Sequence, residues 1–79
     1  MPVKSIEQVV LEIVGRLKGS HLTLNSRLFT EAGLDSLDVA TVVVQCEEQL
    51  NVSISESAID WRQVETLGDL ARLFQEAMP

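Results

Sequence analysis

Ser36 is the residue whose type and setting offer the clearest chemistry. It lies in Gly33-Leu34-Asp35-Ser36-Leu37, where a loop leads into an acidic, valine-rich stretch. A serine nucleophile elbow requires glycine two residues before and two after the serine; Leu34 and Asp38 hold those positions. His21 is the single histidine and falls in a loop. A triad needs a defined imidazole geometry that nothing in the sequence provides, so His21 reads as a surface residue. Asp35 and Asp38 lie close together but lack the spaced ligands and glycine of a calcium loop. No Walker loop or dinucleotide fingerprint is present. Two readings of Ser36 remain open at the residue level. It is either a plain helix N-cap, a role serine favours, or a hydroxyl modified by another protein. A phosphoester there would meet the free amides and positive dipole end of a helix, with Asp35 and Asp38 partly opposing it.

Such a serine must be positioned by a small scaffold. The chain has 79 residues, expected to form one domain over 1–79 with a modest core. Its single cysteine excludes an internal disulfide, and with one histidine it excludes a Cys/His zinc site. That usage fits a reducing, cytoplasmic setting. The early apolar residues are interrupted by Lys4, Glu7, Glu12 and Arg16, so no signal-peptide core forms, and no apolar run is long enough to span a bilayer. Twelve acidic against six basic side chains give a net charge of −6. Nucleic acid and anionic membranes are therefore poor partners, and a basic protein surface is the natural complement. A monomer is expected.

The patterning predicts an all-α fold. Ser5-Ile6-Glu7-Gln8 is a capping box, and Ile6, Val9, Val10, Ile13, Val14 and Leu17 follow as one apolar stripe, predicting a helix over 6–18 that stops at Gly19. Residues 19–35 have no period and read as a long loop pinned by Leu22, Leu24, Leu28 and Phe29. From Ser36 to Leu50, one stripe (Val39, Val42, Val43, Cys46, Leu50) reads as core. A weaker one (Leu37, Ala40, Thr41, Val44, Glu48) reads as exposed. Five β-branched residues there cost a helix roughly 2–3 kcal/mol relative to alanine. Burying three valines returns about 1.5–3 kcal/mol each as an upper estimate, so helix is expected over strand. Cys46 on the core stripe reads as a buried small hydrophobe. A turn over 51–55 and a short helix around 56–61 with Ile59 inward follow. Thr66-x-x-Asp69 then caps a last helix carrying Leu67, Leu70, Ala71, Phe74 and Ala77 on one face. Trp61 reads as packing the short helix, with an exposed contact role left open.

Gly33-Leu34-Asp35-Ser36-Leu37 resembles the modification site of acyl carrier proteins. Leu28-Phe29 upstream, Glu47-Glu48 near the end of the second long helix, and the capped final helix at Thr66 extend the resemblance over nearly the whole chain. It implies a four-helix bundle with a long first loop and a short third helix. It further implies that Ser36 receives 4′-phosphopantetheine from coenzyme A through a separate phosphopantetheinyl transferase, and that the arm's thiol carries an intermediate as a thioester. The chain itself would then be no enzyme. By the same resemblance the second long helix docks basic partner enzymes. Asp35, Asp38, Glu47 and Glu48 would supply charge, and Leu37, Ala40, Thr41 and Val44 the face between them. Charges that steer encounter and a few apolar contacts that slow departure suit a carrier visiting loading and processing enzymes.

The sequence departs from the fatty-acid pattern in its valine-rich second helix, in Thr41 where an acidic residue is common, and in Leu34 before Asp35. These departures point to a free-standing carrier in a specialised acyl or polyketide-type pathway. An aminoacyl or peptidyl carrier is the nearest alternative. From another class, an unmodified helical adaptor would use Ser36 only as a cap.

Overall fold

The capping box at Ser5 opens the first helix. The Ser5 hydroxyl accepts the Gln8 N–H at 3.1 Å, and the Ser5 N–H donates to the Gln8 side chain at 2.9 Å. In the computed structural model, which describes residues 5–19, 21–55, 57 and 59–77, this helix is α1, Ile6–Lys18. It ends at Gly19, whose φ of 121° suits a residue without Cβ and whose N–H donates to the Gly15 carbonyl at 2.8 Å. Val9, Val10, Ile13 and Val14 are buried, while Leu17, at the end of the same stripe, is exposed.

α2 spans Ser36–Leu50 and buries Val39, Val42, Val43 and Cys46. The valine run is helical because its buried face packs against α1, which outweighs the strand preference of β-branched side chains. Asn51, in the left-handed region at φ 56°, ends the helix. α3, Leu67–Ala77, starts on the expected Thr66/Asp69 pair. The Asp69 N–H donates to the Thr66 hydroxyl at 3.2 Å, and the Thr66 N–H donates to the Asp69 carboxylate at 3.1 Å. Leu67, Leu70, Ala71 and Phe74 are buried, but Ala77 is exposed at the last turn and leaves the expected face. α1 packs against both α2 and α3 around one core.

Among the described residues there are three α-helices, a 3-10 turn at Trp61–Gln63 and no strand, only an isolated antiparallel bridge between Arg27 and Thr66. The short helix expected over 56–61 falls partly outside the described residues, which omit 56 and 58; Ile59 packs inward as expected.

The loop over 19–35 departs most from expectation. Leu28 is buried and Leu22 and Leu24 are half-buried, but Phe29 is 52% exposed, and Ala32 and Leu34 serve as anchors instead. Its backbone is stitched to the start of α3. Leu28 N–H donates to Glu65 at 3.0 Å, Leu67 N–H to Ser26 at 3.0 Å, and Gly68 N–H to Leu24 at 2.8 Å. Loop and helix thus satisfy each other's polar backbone groups. No helix among the described residues is long and apolar enough to cross a membrane.

Candidate functional site

Ser36 is placed by the four residues before it. A tight turn folds residues 27–34, with Ala32 N–H donating to Arg27 at 2.8 Å and Leu34 N–H to Leu28 at 2.9 Å. Gly33 takes φ 71°, a left-handed conformation that side chains resist, and this reverses the chain. Leu34 then plugs into the core at 3% exposure, tethering the motif two residues before the serine. Ser36 is the first residue of α2 and is exposed.

The N-cap is Asp35. Its carboxylate accepts the Asp38 N–H at 2.8 Å, and the Asp38 carboxylate accepts the Asp35 N–H at 3.3 Å, a reciprocal capping box around Ser36. The N-cap reading of Ser36 is therefore corrected. Aspartate is an equally good cap, and its reach to the third helical amide leaves the serine hydroxyl with no partner among the described residues. The Ser36 and Leu37 amides, which precede the first helical hydrogen bonds, likewise have none there. An anionic ester at this point would meet free amides and the positive helix end.

The negative charge that opposes such an anion is reduced. Lys18 Nζ, at the end of α1, lies 3.2 Å from Asp38 Oδ2. The Asp35 backbone N–H first, and then Lys18, hold the Asp38 carboxyl below its ordinary range. Nothing in the sequence pattern signals this contact, which joins residues 20 apart.

Beside Ser36 an open cleft of about 210 Å³ is lined by Phe29, Val39, Ala40, Val43 and Trp61 together with Ser36 itself. Phe29 and Trp61 are two of the three aromatic residues in the chain, so its aromatic surface is concentrated at this site; the third, Phe74, is buried. On the outward face of α2, Leu37 is 77% and Val44 is 47% exposed, Thr41 is exposed and Ala40 half-buried. The Thr41 hydroxyl donates back to the Leu37 carbonyl at 3.0 Å, which leaves this strip largely apolar.

The carboxylates expected on this helix differ in state. Glu48 is exposed with no partner among the described residues. Glu47 is half-buried and accepts the Ile54 N–H at 2.7 Å, fastening the chain that follows α2. His21 is exposed and bonds to neither Ser36 nor any other described residue. Cys46 is fully buried, and desolvation, with Glu47 adding to it, pushes its thiol up to about 12. A thiol so disposed stays protonated and inert. No group of three His, Cys, Asp or Glu among the described residues is placed to hold a metal ion.

Residues 4–74 match the family described as a phosphopantetheine attachment site. The chain belongs to the acyl carrier protein family. Acyl carrier protein 4, chloroplastic, from Arabidopsis thaliana is 31% identical over 74 residues, 94% of this chain and 52% of the relative; the chain spans about half that protein's length. Among solved structures, MacpD, an acyl carrier protein from Pseudomonas fluorescens involved in mupirocin biosynthesis, is similar at a TM-score of 0.62 and 28% identity. That match covers 94% of this carrier and 68% of MacpD. The prosthetic group of the family is 4′-phosphopantetheine. The carrier's residues fit it: an exposed serine hydroxyl with no competing partner, free helix amides beside it, and open space along an apolar cleft.

Proposed function

We propose that Ser36 is the attachment point for 4′-phosphopantetheine and that residues 1–79 form a single, monomeric carrier domain that performs no catalysis itself. The observation that carries this reading is the hydroxyl at the first position of α2, released from capping by Asp35 and set beside the cleft. When bound, the group supplies a terminal thiol on a flexible arm, on which an acyl intermediate is held as a thioester. The chain does the rest by placement. Leu34 fixes the motif to the core, Asp35 caps, and Ser36 projects outward. In the transfer the Ser36 oxygen bonds to the phosphorus that carries the pantetheine arm as the bond to the 3′,5′-ADP part of coenzyme A breaks, and the hydroxyl proton is given up to the transferase or solvent.

Docking falls to the outward face of α2. Leu37, Ala40, Thr41 and Val44 supply a shallow apolar strip. Asp35 and Asp38 lie at its Ser36 end and Glu47 and Glu48 at the far end, facing basic patches on the transferase and on acyl-loading and processing enzymes. Trp61 and Phe29 form the wall that a cargo or arm would meet on leaving Ser36. The 3-10 turn at Trp61–Gln63 supports the reading of a short third element between α2 and α3 in a four-helix bundle. A polyketide-type pathway in a reducing, cytoplasmic setting is supported by the likeness to MacpD and by Leu34 and Thr41, and by the single buried cysteine.

Intact mass after incubation with coenzyme A and a permissive phosphopantetheinyl transferase tests the attachment. One added phosphopantetheine is expected in the parent and none in Ser36→Ala. A folded parent that gains nothing from several transferases returns the chain to the adaptor reading. Efficient elongation of the holo protein by fatty-acid synthase enzymes would overturn the specialised pathway.

A further inference from the structure

Asp38 stands two residues after Ser36, and one of its carboxylate oxygens has two internal partners. Oδ2 accepts the Asp35 N–H at 3.3 Å and lies 3.2 Å from Lys18 Nζ. The two partners act differently on anything that approaches. A backbone N–H binds the carboxylate but leaves its charge in place, as it does for Glu47 at Ile54. A lysine ammonium brings an opposite charge and cancels it. Lys18 is well held for this task, because the last turn of α1 favours a cation. The Lys18 and Asp38 side chains are 33% and 27% exposed, so the pair is sheltered yet within reach of a visiting surface.

We propose that Lys18 sets the strength of docking at the Ser36 end of α2 by competing, in cis, with the basic side chains of partner enzymes for the Asp38 carboxylate. This rests on the reading of Ser36 as attachment point and of α2 as docking face. Lys18 is a positioning residue: it touches neither the cofactor nor the reacting hydroxyl. A partner must displace the ammonium or share the carboxylate, so weakly basic partners are filtered out and strongly basic ones are held only briefly. A partly exposed pair of this kind is worth about two- to fivefold in affinity.

Steady-state transfer from coenzyme A, with the full chain as varied substrate at low and high salt, tests it. Lys18→Met and Lys18→Gln should each lower the KM for the carrier about two- to fivefold at low salt. The difference should collapse at high salt, where exposed charges are screened. Lys18→Arg, which keeps the ion pair, should keep the parental KM. In an Asp38→Asn background the Lys18 substitutions should do nothing. Arg72→Met makes the same change of net charge from α3, where Arg72 lies 3.9 Å from Asp69, and should leave KM alone. An unchanged or raised KM in both neutral Lys18 variants, at parental helicity, overturns the proposal. So does an equal drop in Arg72→Met or a drop that persists without Asp38. A parent that takes up no cofactor defeats the Ser36 assignment and this proposal with it, whereas uptake without these KM changes defeats the role of Lys18 alone.

Discussion

Asp35, not the serine beside it, caps α2, and the division can be measured. Asp35 satisfies the Asp38 amide and so starts α2, while the Ser36 hydroxyl is left without a partner among the described residues. Asp35→Ala should therefore cost about 1 kcal/mol in urea unfolding, the usual value of a lost N-cap. Ser36→Ala should cost less than about 0.5 kcal/mol, as expected for an exposed side chain that itself caps nothing. The opposite order would return the capping role to the serine. The glycine two residues before the cap works at the same scale: Gly33 at φ 71° makes the turn that lets Leu34 enter the core and Ser36 leave it.

At the scale of elements, α2 holds the site through both of its faces and both of its ends. Its inner face packs Val39, Val42, Val43 and Cys46, so a helix of strand-prone residues is stable only when docked on its neighbours. Its far end is fastened by Glu47, whose carboxylate accepts the half-buried Ile54 N–H across seven residues. Glu47→Ala leaves that N–H without its acceptor and should cost about 1–2 kcal/mol, the penalty for an unsatisfied buried donor. Glu47→Gln keeps an acceptor oxygen and should recover most of it. Equal stability of the two variants in thermal unfolding would show that Glu47 acts only through its charge. The expectation of Glu47 as a docking charge thus meets a structural use of the same carboxylate.

For the molecule as a whole, two carboxylates tie helix starts to pH. The Glu65 and Thr66 backbone N–H groups hold Asp69 below its ordinary value of 3.8, and the Asp35 N–H with Lys18 does the same for Asp38. A group with a depressed folded pKa stabilises the fold above its unfolded value and loses that contribution as pH falls through the folded one. The thermal midpoint should accordingly fall as pH drops below about 3.8. Asp69→Asn should lower stability at neutral pH and flatten that acid limb, because the amide accepts hydrogen bonds without titrating. An acid limb as steep in Asp69→Asn as in the parent would exclude Asp69 as a linked group.

Local chemistry made much of this protein legible in advance. The boundaries of α1 and α2, the Thr66/Asp69 start of α3 and the buried stripes on all three helices depend on residues three or four apart, and such contacts can be read along the chain. The motif around Ser36 could be picked out along the chain too, but which of its residues caps α2 could not, since Asp35 and Ser36 are both good caps and the structure gives the role to Asp35. The expected short helix over 56–61 rested on no comparable cap or stripe. Tertiary structure decided the remainder. It decided which loop side chains turn inward, setting Phe29 outside and Ala32 and Leu34 inside, because the loop bonds to the start of α3 and the residue before its cap, some 40 residues away. It gathered Phe29 and Trp61 into the cleft beside Ser36, and it brought Lys18 to Asp38. Each of these partners is distant in sequence; the packing of α1 against α2 brings Lys18 to Asp38, and the folding of the loop and the 3-10 turn onto α2 brings Phe29 and Trp61 to Ser36.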